Sequence, residues 1–395
     1  MRNIVLIVFL LFSCSIFAQT WQQFRTMPSP RHHPVTFEIN GEGYMITGTN
    51  TANRSTKDVY KYLPLINLWT QATDFPGDAR SFSMGASYKG VGYLGFGADN
   101  SIYFRDLWSY DAANDTWTEL ASCPCTARRH PTFMVNNDKI YVGLGNSSQS
   151  DLNDFWVYDI KTNSWSQLPN IPGPARHHPF HFTAGGDVYA GMGHGGPVIY
   201  KDWYKLDTVN NSWITLNDFP GEARVAGTQF SFDGYGYVLS GDGDNHSFMP
   251  TGEFWQYDHN SDTWNQFPSH PGVSRWAPGS MTIGPDVYFF GGTDRQAGNF
   301  PSASWKYRLA PPVSIETAID ETFTVFPNPA NDILSWKSEN KVTEIKLTNM
   351  LGQQVLHDTN PGESIRLGEF QNGMYIAQFY SNGELLNTKR VLVQH

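Results

Sequence analysis

Arginine, histidine and aspartate recur in this 395-residue chain at spacings that ligand chemistry could use. An arginine returns in one register at Arg31, Arg80, Arg128, Arg176, Arg224 and Arg275, in contexts such as Pro76-Gly-Asp-Ala-Arg80 and Pro220-Gly-Glu-Ala-Arg224. Three of these positions run on into histidine: Arg31-His32-His33-Pro34, Arg129-His130-Pro131 and Arg176-His177-His178-Pro179. A second set of polar stretches holds His194-Gly-Gly, Asp242-Gly-Asp244-Asn-His246 and Thr293-Asp294-Arg295. Guanidinium groups are planar forks for carboxylates. Imidazoles add donors, acceptors and a charge that can change near neutral pH. Gathered at one place, these groups would suit a ligand with a carboxylate or several hydroxyls, and six like charges would make that place positive.

Two roles compete for the arginines: contact with a ligand, or hydrogen-bond donation to loops of the fold. In a strand the side chains alternate, so only one histidine of each pair is expected to face a ligand, and the other to pack. Other motifs fail on context. Gly191-Met-Gly193-His-Gly-Gly196 imitates a dinucleotide fingerprint, but a strand rather than a helix follows it. Asp242, Asp244 and Glu253 imitate positions of a calcium loop whose glycine position is Ser247. No Gly-x-Ser-x-Gly elbow and no His-Glu-x-x-His helix occurs. No catalytic residue, metal or cofactor is assigned on these grounds. Cys123 and Cys125 flank Pro124 and could close a small local disulfide in an oxidising compartment.

The elements that must position these residues are repeats. Tryptophans fall at Trp21, Trp69, Trp117, Trp165, Trp213 and Trp264, four intervals of 48 and one of 51. Nine residues before each of the last five stands Tyr60, Trp108, Trp156, Tyr204 or Trp255. Around these the text returns as Asp106-Leu-Trp-Ser-Tyr-Asp111, Asp154-Phe-Trp-Val-Tyr-Asp159, Asp202-Trp-Tyr-Lys-Leu-Asp207 and Glu253-Phe-Trp-Gln-Tyr-Asp258. Period-two runs such as Lys139-Ile-Tyr-Val-Gly143 precede glycine pairs, and turns such as Asn114-Asp115 and Thr162-Asn163 precede each outer tryptophan. Each repeat therefore reads as four strands. The last repeat has Trp305 but Ser314 where an outer tryptophan should stand, while Trp21 is unmatched at the other end. Thr20–Phe24 is thus expected to supply the missing outer strand and close a ring of six.

The glycine pairs, the Tyr/Trp pair and the intervening turn, over residues 21–309, resemble the kelch family of β-propellers, the galactose-oxidase-like kind. The chain departs from that pattern in spacing its glycines by one residue, except at Gly291-Gly292. A radical-copper oxidase of that kind would need a cysteine crosslinked to a tyrosine, and here the two cysteines beyond the leader share one loop. The fold class expected is all-β: a six-bladed propeller followed by a small C-terminal β-sandwich. In such blades the start of the first strand and the end of the second share an edge, so the Arg/His starts and the polar stretches should meet at one mouth of the channel.

After a Pro-rich linker, 310–322, the repeat stops. Residues 323–395 carry Pro327-Asn328-Pro329, Met350-Leu-Gly-Gln353, Asn372-Gly-Met-Tyr375 and Lys389-Arg390 in short alternating strands. That order resembles the C-terminal sorting domain of the type IX secretion system of Bacteroidetes, which implies export across the outer membrane and removal of the tail.

Residues 1–18 read as a cleavable signal: Arg2, an apolar run from Ile4 to Phe12, and Ala18 before Gln19. Cys14 faintly suggests lipoprotein processing instead. No later stretch is apolar enough for a membrane anchor. A net charge of −10 argues against a nucleic-acid partner, and 16% charged with 15% aromatic residues argues against disorder. The expectation is a secreted or surface-attached binding module for a glycan, peptide or anionic metabolite, with the secretion machinery as a second partner. A sugar mutarotase or epimerase, or a structural adhesin, are the rivals.

Overall fold

The computed structural model describes residues 20–309 apart from 244–245, and 323–395 apart from 339 and 350–353. The expected signal, the linker and Asp244 lie outside the described residues. Two compact units divide between Ala310 and Pro311. No helix among the described residues is long and apolar enough to cross a membrane.

The first unit is six four-stranded antiparallel sheets. Blade 1 comprises Val35–Ile39, Glu42–Ile46, Val59–Leu63 and Leu68–Ala72, and blade 2 comprises Met84–Tyr88, Val91–Gly95, Leu107–Asp111 and Thr116–Leu120. Blade 3 runs over Thr132–Asn136, Lys139–Gly143, Phe155–Asp159 and Ser164–Leu168, and blade 4 over Phe180–Ala184, Asp187–Gly191, Trp203–Asp207 and Ser212–Thr215. Blade 5 uses Thr228–Phe232, Tyr235–Leu239, Gly252–Asp258 and Thr263–His270. Blade 6 uses Trp276–Ile283, Asp286–Thr293 and Ser304–Arg308, and takes its outer strand, Gln22–Phe24, from the other end of the unit, with Gln22 opposite Lys306. Innermost strands touch in the order 1-2-3-4-5-6-1, so the ring has no open edge.

One clasp, repeated, explains why these repeats stack. The turn before each outer tryptophan holds Asn67, Asp115, Asn163, Asn211 or Asp262 at a left-handed φ of 50–52°, a conformation that Asn and Asp tolerate. In four of these turns that side chain accepts the hydroxyl of the preceding strand's tyrosine and a backbone N–H of the preceding blade or closing segment, as Asn163 does from Tyr158 (2.7 Å) and Ala121 (2.8 Å). The tryptophan indole donates to a carbonyl there too: Trp69 to Arg25, Trp117 to Thr73, Trp165 to Ala121 and Trp213 to Pro169. Trp21 donates to Pro268 of blade 5 at 2.8 Å, making the same clasp for blade 6. Buried aromatics fill the space between sheets, Phe24 lying against Tyr62, Tyr288 and Phe290.

The second unit has a three-stranded sheet (Thr324–Phe326, Ile333–Lys337, Ser364–Arg366) and a four-stranded one (Glu344–Asn349, Gln354–Asp358, Gly373–Ser381, Glu384–Val393). Leu334, Trp336, Ile345, Leu347, Phe379 and Val391 form its core. Asn328 of the Pro-Asn-Pro motif donates to Arg390 O at 2.7 Å and accepts from Leu392 N at 2.9 Å, fastening the last strand.

Candidate functional site

The six registered arginines do not reach the channel. Arg31, Arg128, Arg176 and Arg224 are 0% exposed, Arg80 1% and Arg275 4%. Four fork onto a carboxylate at the start of their own blade's third strand: Arg31 on Asp58 (2.8 and 2.7 Å), Arg80 on Asp106 (2.6 and 2.8 Å), Arg128 on Asp154 (2.7 and 2.8 Å) and Arg176 on Asp202. Arg224 pairs with Glu253. Each of the five also donates to the carbonyl just past the second strand, namely that of Thr47, Phe96, Leu144, Met192 or Ser240. In blade 6 the carboxylate register is Ala303, and Arg275 donates to the carbonyls of Gly291 (3.3 Å) and Ala303 (3.0 Å); burial draws its pKa down to about 10. The expectation that Arg31, Arg80, Arg128, Arg176, Arg224 and Arg275 contact a ligand and make the mouth positive is therefore corrected. A guanidinium leaves water only with its charge and donors matched, and these are matched within the fold.

What reaches the channel is the residue two places on. There φ is left-handed in every blade: 53° at His33, 62° at Phe82, 54° at His130, 50° at His178, 50° at Ala226 and 51° at Ala277. Backbone bonds join these residues across blades, His33 N to Ala277 O (2.8 Å), His130 N to Phe82 O (3.0 Å) and Ala277 N to Ala226 O (2.7 Å). The left-handed residue interrupts strand alternation, so both histidines of a pair, rather than one, arrive at the mouth. Gly193 (φ 75°) permits the tight approach in blade 4, since a Cβ there would lie 2.7 Å from His177 O and 2.8 Å from His178 O.

Blades 1 and 4 are opposite in a ring of six, and His33 and His178 meet across it, Nε2 to Nε2 at 3.2 Å. His130 lies against His178 with ring centroids 3.7 Å apart. On the inner side is a channel cavity of about 370 Å³ lined by Thr36, Ser83, Met134, His181, Thr228 and Ser280 among others. The second histidines and the loops after the glycine pairs add His32, His177, His194 and His246 around the same cluster: His177 and His194 rings are 3.8 Å apart, and His194 and His246 4.8 Å. The edges shared by first-strand starts and second-strand ends show in the bridges His177–His194, Arg129–Asn146 and Val225–Asp242. His177 Nδ1 donates to Asp151 Oδ1 at 2.7 Å. Two trios, His33/His130/His178 and His177/His178/His194, each bring one ring nitrogen per residue within 4.8 Å of the others, a grouping that the sequence, read as metal-free, did not reveal.

Burial holds these rings neutral. His32, His177, His194 and His246 are pushed down to about 4, and His33, His130 and His178 well below the ordinary histidine value, with Arg129, Arg295 or neighbouring imidazoles adding repulsion. A charge change near neutral pH is thereby corrected to neutral imidazoles with lone pairs available. Asp242 is also corrected: it is 0% exposed and accepts Ser274 Oγ at 2.8 Å, supporting its loop rather than meeting a ligand directly. Cys123 and Cys125 are bridged, with Cα atoms 5.2 Å apart, in the apolar cluster of Phe96, Leu107 and Phe133.

The sequence placed Arg295 among the polar stretches of this mouth but did not point to Trp276 and Phe300. With His32, Asn50, Thr293 and Asp294 they line a groove of about 510 Å³ on this mouth. His32 stacks on Phe300 (5.7 Å, 11°), and the Arg295 guanidinium lies 4.3 Å over Trp276. Trp276 was findable, because it follows Arg275 in the position that His32 and His177 hold after theirs.

Residues 122–292 match the KLHDC2/KLHL20/DRC7 Kelch-repeats domain, and residues 324–394 match the secretion system C-terminal sorting domain. Among solved structures, the one titled "Structure of YjhT" is similar at a TM-score of 0.53 and 14% identity, covering 60% of this chain and 84% of that one. That likeness speaks for the fold alone. No curated protein sequence gives a significant match. The sorting tail marks a protein exported and attached at the cell surface, with its C-terminal domain removed. The chain is a kelch-repeat β-propeller protein with a type IX secretion sorting domain at its C-terminus.

Proposed function

We propose that the exported propeller is a binding module that takes a carboxylate-bearing glycan or metabolite at this mouth. The reading rests on one observation: the aromatic rings of Trp276, Phe300 and His32 line one groove together with Asn50 and with Arg295, whose side chain is 39% exposed. Ring faces suit the apolar face of a sugar, and a few convergent polar groups fix its orientation. The buried arginines supply scaffold, and Arg295 supplies the charge.

Binding of acidic and neutral glycans to the full chain tests this. Trp276→Ala and Arg295→Gln should each weaken binding of an acidic glycan at least about tenfold, roughly 1.4 kcal/mol, with melting little changed. Equal binding of neutral and acidic glycans, unaltered in both variants, overturns the reading.

A further inference from the structure

We propose that His33, His130 and His178 hold a divalent zinc-type metal ion on the channel axis through their Nε2 atoms, with a coordination position left for an anionic ligand. Three imidazoles suit zinc and its borderline neighbours, and a site of three protein ligands keeps a position open.

The hydrogen-bond accounting around the three rings carries the proposal. Asn146 Oδ1 lies 3.3 Å from Arg129 Nε and 3.2 Å from His130 Nδ1. Arginine can only donate, so the Asn146 atom is an acceptor and His130 Nδ1 must carry its proton. His130 Nε2 is then a bare lone pair; it is buried, on a residue 7% exposed, and has no partner. His33 Nδ1 has His32 Nδ1 at 2.8 Å, and His178 Nδ1 has His194 Nε2 at 3.5 Å. His33 Nε2 and His178 Nε2 lie 3.2 Å apart and share one proton as a hydrogen bond; with each Nδ1 donating outward instead, both offer lone pairs to a cation between them. A tetrahedral ion with bonds of about 2.0 Å separates its ligand atoms by about 3.3 Å. One ring nitrogen of His130 lies within 4.8 Å of one on each of the other two.

Asn146, His32 and His194 are thus the outer partners that orient liganding imidazoles. Each ligand comes from a different blade and sits at the same left-handed ring position, so the metal would tie blades 1, 3 and 4 together. Three neutral ligands leave the ion's double charge uncompensated, and Arg129 is close by. The remaining position therefore asks for an anion. The competing trio, His177/His178/His194, draws all its members from blade 4 and has no unpartnered buried nitrogen to match His130 Nε2.

The test uses the full chain without a histidine tag and zinc chloride alone, followed by calorimetry and by cobalt substitution. The expected result is one ion per chain and the visible absorption of four-coordinate cobalt. The double variant His130→Ala/His178→Ala should lose at least a hundredfold in affinity. Asn146→Ala, which touches no metal, should lose roughly 10–100-fold as outer partners do. His357→Ala, in the second unit, should change nothing. Zinc-edge anomalous scattering from wild-type crystals requires no variant, and should place a peak about 2.0 Å from the three Nε2 atoms. No saturable uptake by the folded wild-type chain overturns the proposal. So does equal affinity in the double variant, or a peak on His177 and His194 instead. No glycan is present in this test, so its failure leaves the Trp276 and Arg295 reading standing, and the reverse also holds.

Discussion

Arg176 and Arg275 hold the same register with unequal partners. Arg176 reaches both oxygens of Asp202 and the carbonyls of Met192 and Pro174, whereas Arg275 reaches two carbonyls and no carboxylate. Arg176→Lys keeps the charge but loses the planar fork, and should lower stability by roughly 1.5–3 kcal/mol. The same change at Arg275 should cost less. Thermal melts of the two variants check the order, and an equal drop would show that the carboxylate contributes little. Ligand affinity of the folded protein should be unaffected in both. The arginine register was legible in the sequence, and so was its partner in principle: 26 residues separate Arg80 from Asp106, Arg128 from Asp154 and Arg176 from Asp202. The direction of the side chains was not legible. It depends on a left-handed φ at His33 and His178, where non-glycine residues are uncommon and nothing local announces the turn.

At the level of strands, ring closure depends on three residues. Gln22–Phe24 covers Ser304–Lys306, and Phe24 (9% exposed) and Met27 (3%) enter the core between blades 6 and 1. Deleting residues 19–27 should uncover the third strand of blade 6 and remove the Trp21 clasp to Pro268. A marked fall in melting temperature and a tendency to aggregate are expected, as for any newly opened edge. Phe24→Ala keeps the strand and should cost about 3 kcal/mol, the usual loss for a buried phenylalanine. An unchanged melt after the deletion would refute closure by this strand. The blade count was readable because a tryptophan was spare at one end and missing at the other. The groove as a whole was not, since Trp276 alone keeps the register of His32, while Phe300 lies in a loop of blade 6 that repeats no motif.

Across the whole propeller, nine histidines are held below their ordinary pKa. The most instructive lies outside the mouth. His270 is 2% exposed, donates from Nδ1 to Pro271 O (3.0 Å) and accepts from Ser240 Oγ at Nε2 (2.9 Å), and is pushed down to about 3 by burial, with Arg275 and Arg224 adding to it. A histidine whose folded pKa is depressed binds its proton in the unfolded chain first. Its contribution to stability is therefore complete above the unfolded value of about 6.5 and is lost as pH falls towards the folded value. With His32, His177, His181, His194 and His246 near 4, the melting temperature should drop steeply between pH 6.5 and 4. His270→Gln should flatten part of that slope. A melt independent of pH over this range would mean that the rings are not sequestered.

Backbone bonds join the inner ring where blade 6 meets blade 1, blade 2 meets blade 3 and blade 5 meets blade 6, while its side chains differ and read His, Phe, His, His, Ala, Ala. Six single-residue choices thus set the chemistry of the inner ring. The two alanines stand next to each other on blades 5 and 6. Six-fold pseudosymmetry is broken there: four blades bring a ring to the channel, and two adjacent blades bring only a methyl group.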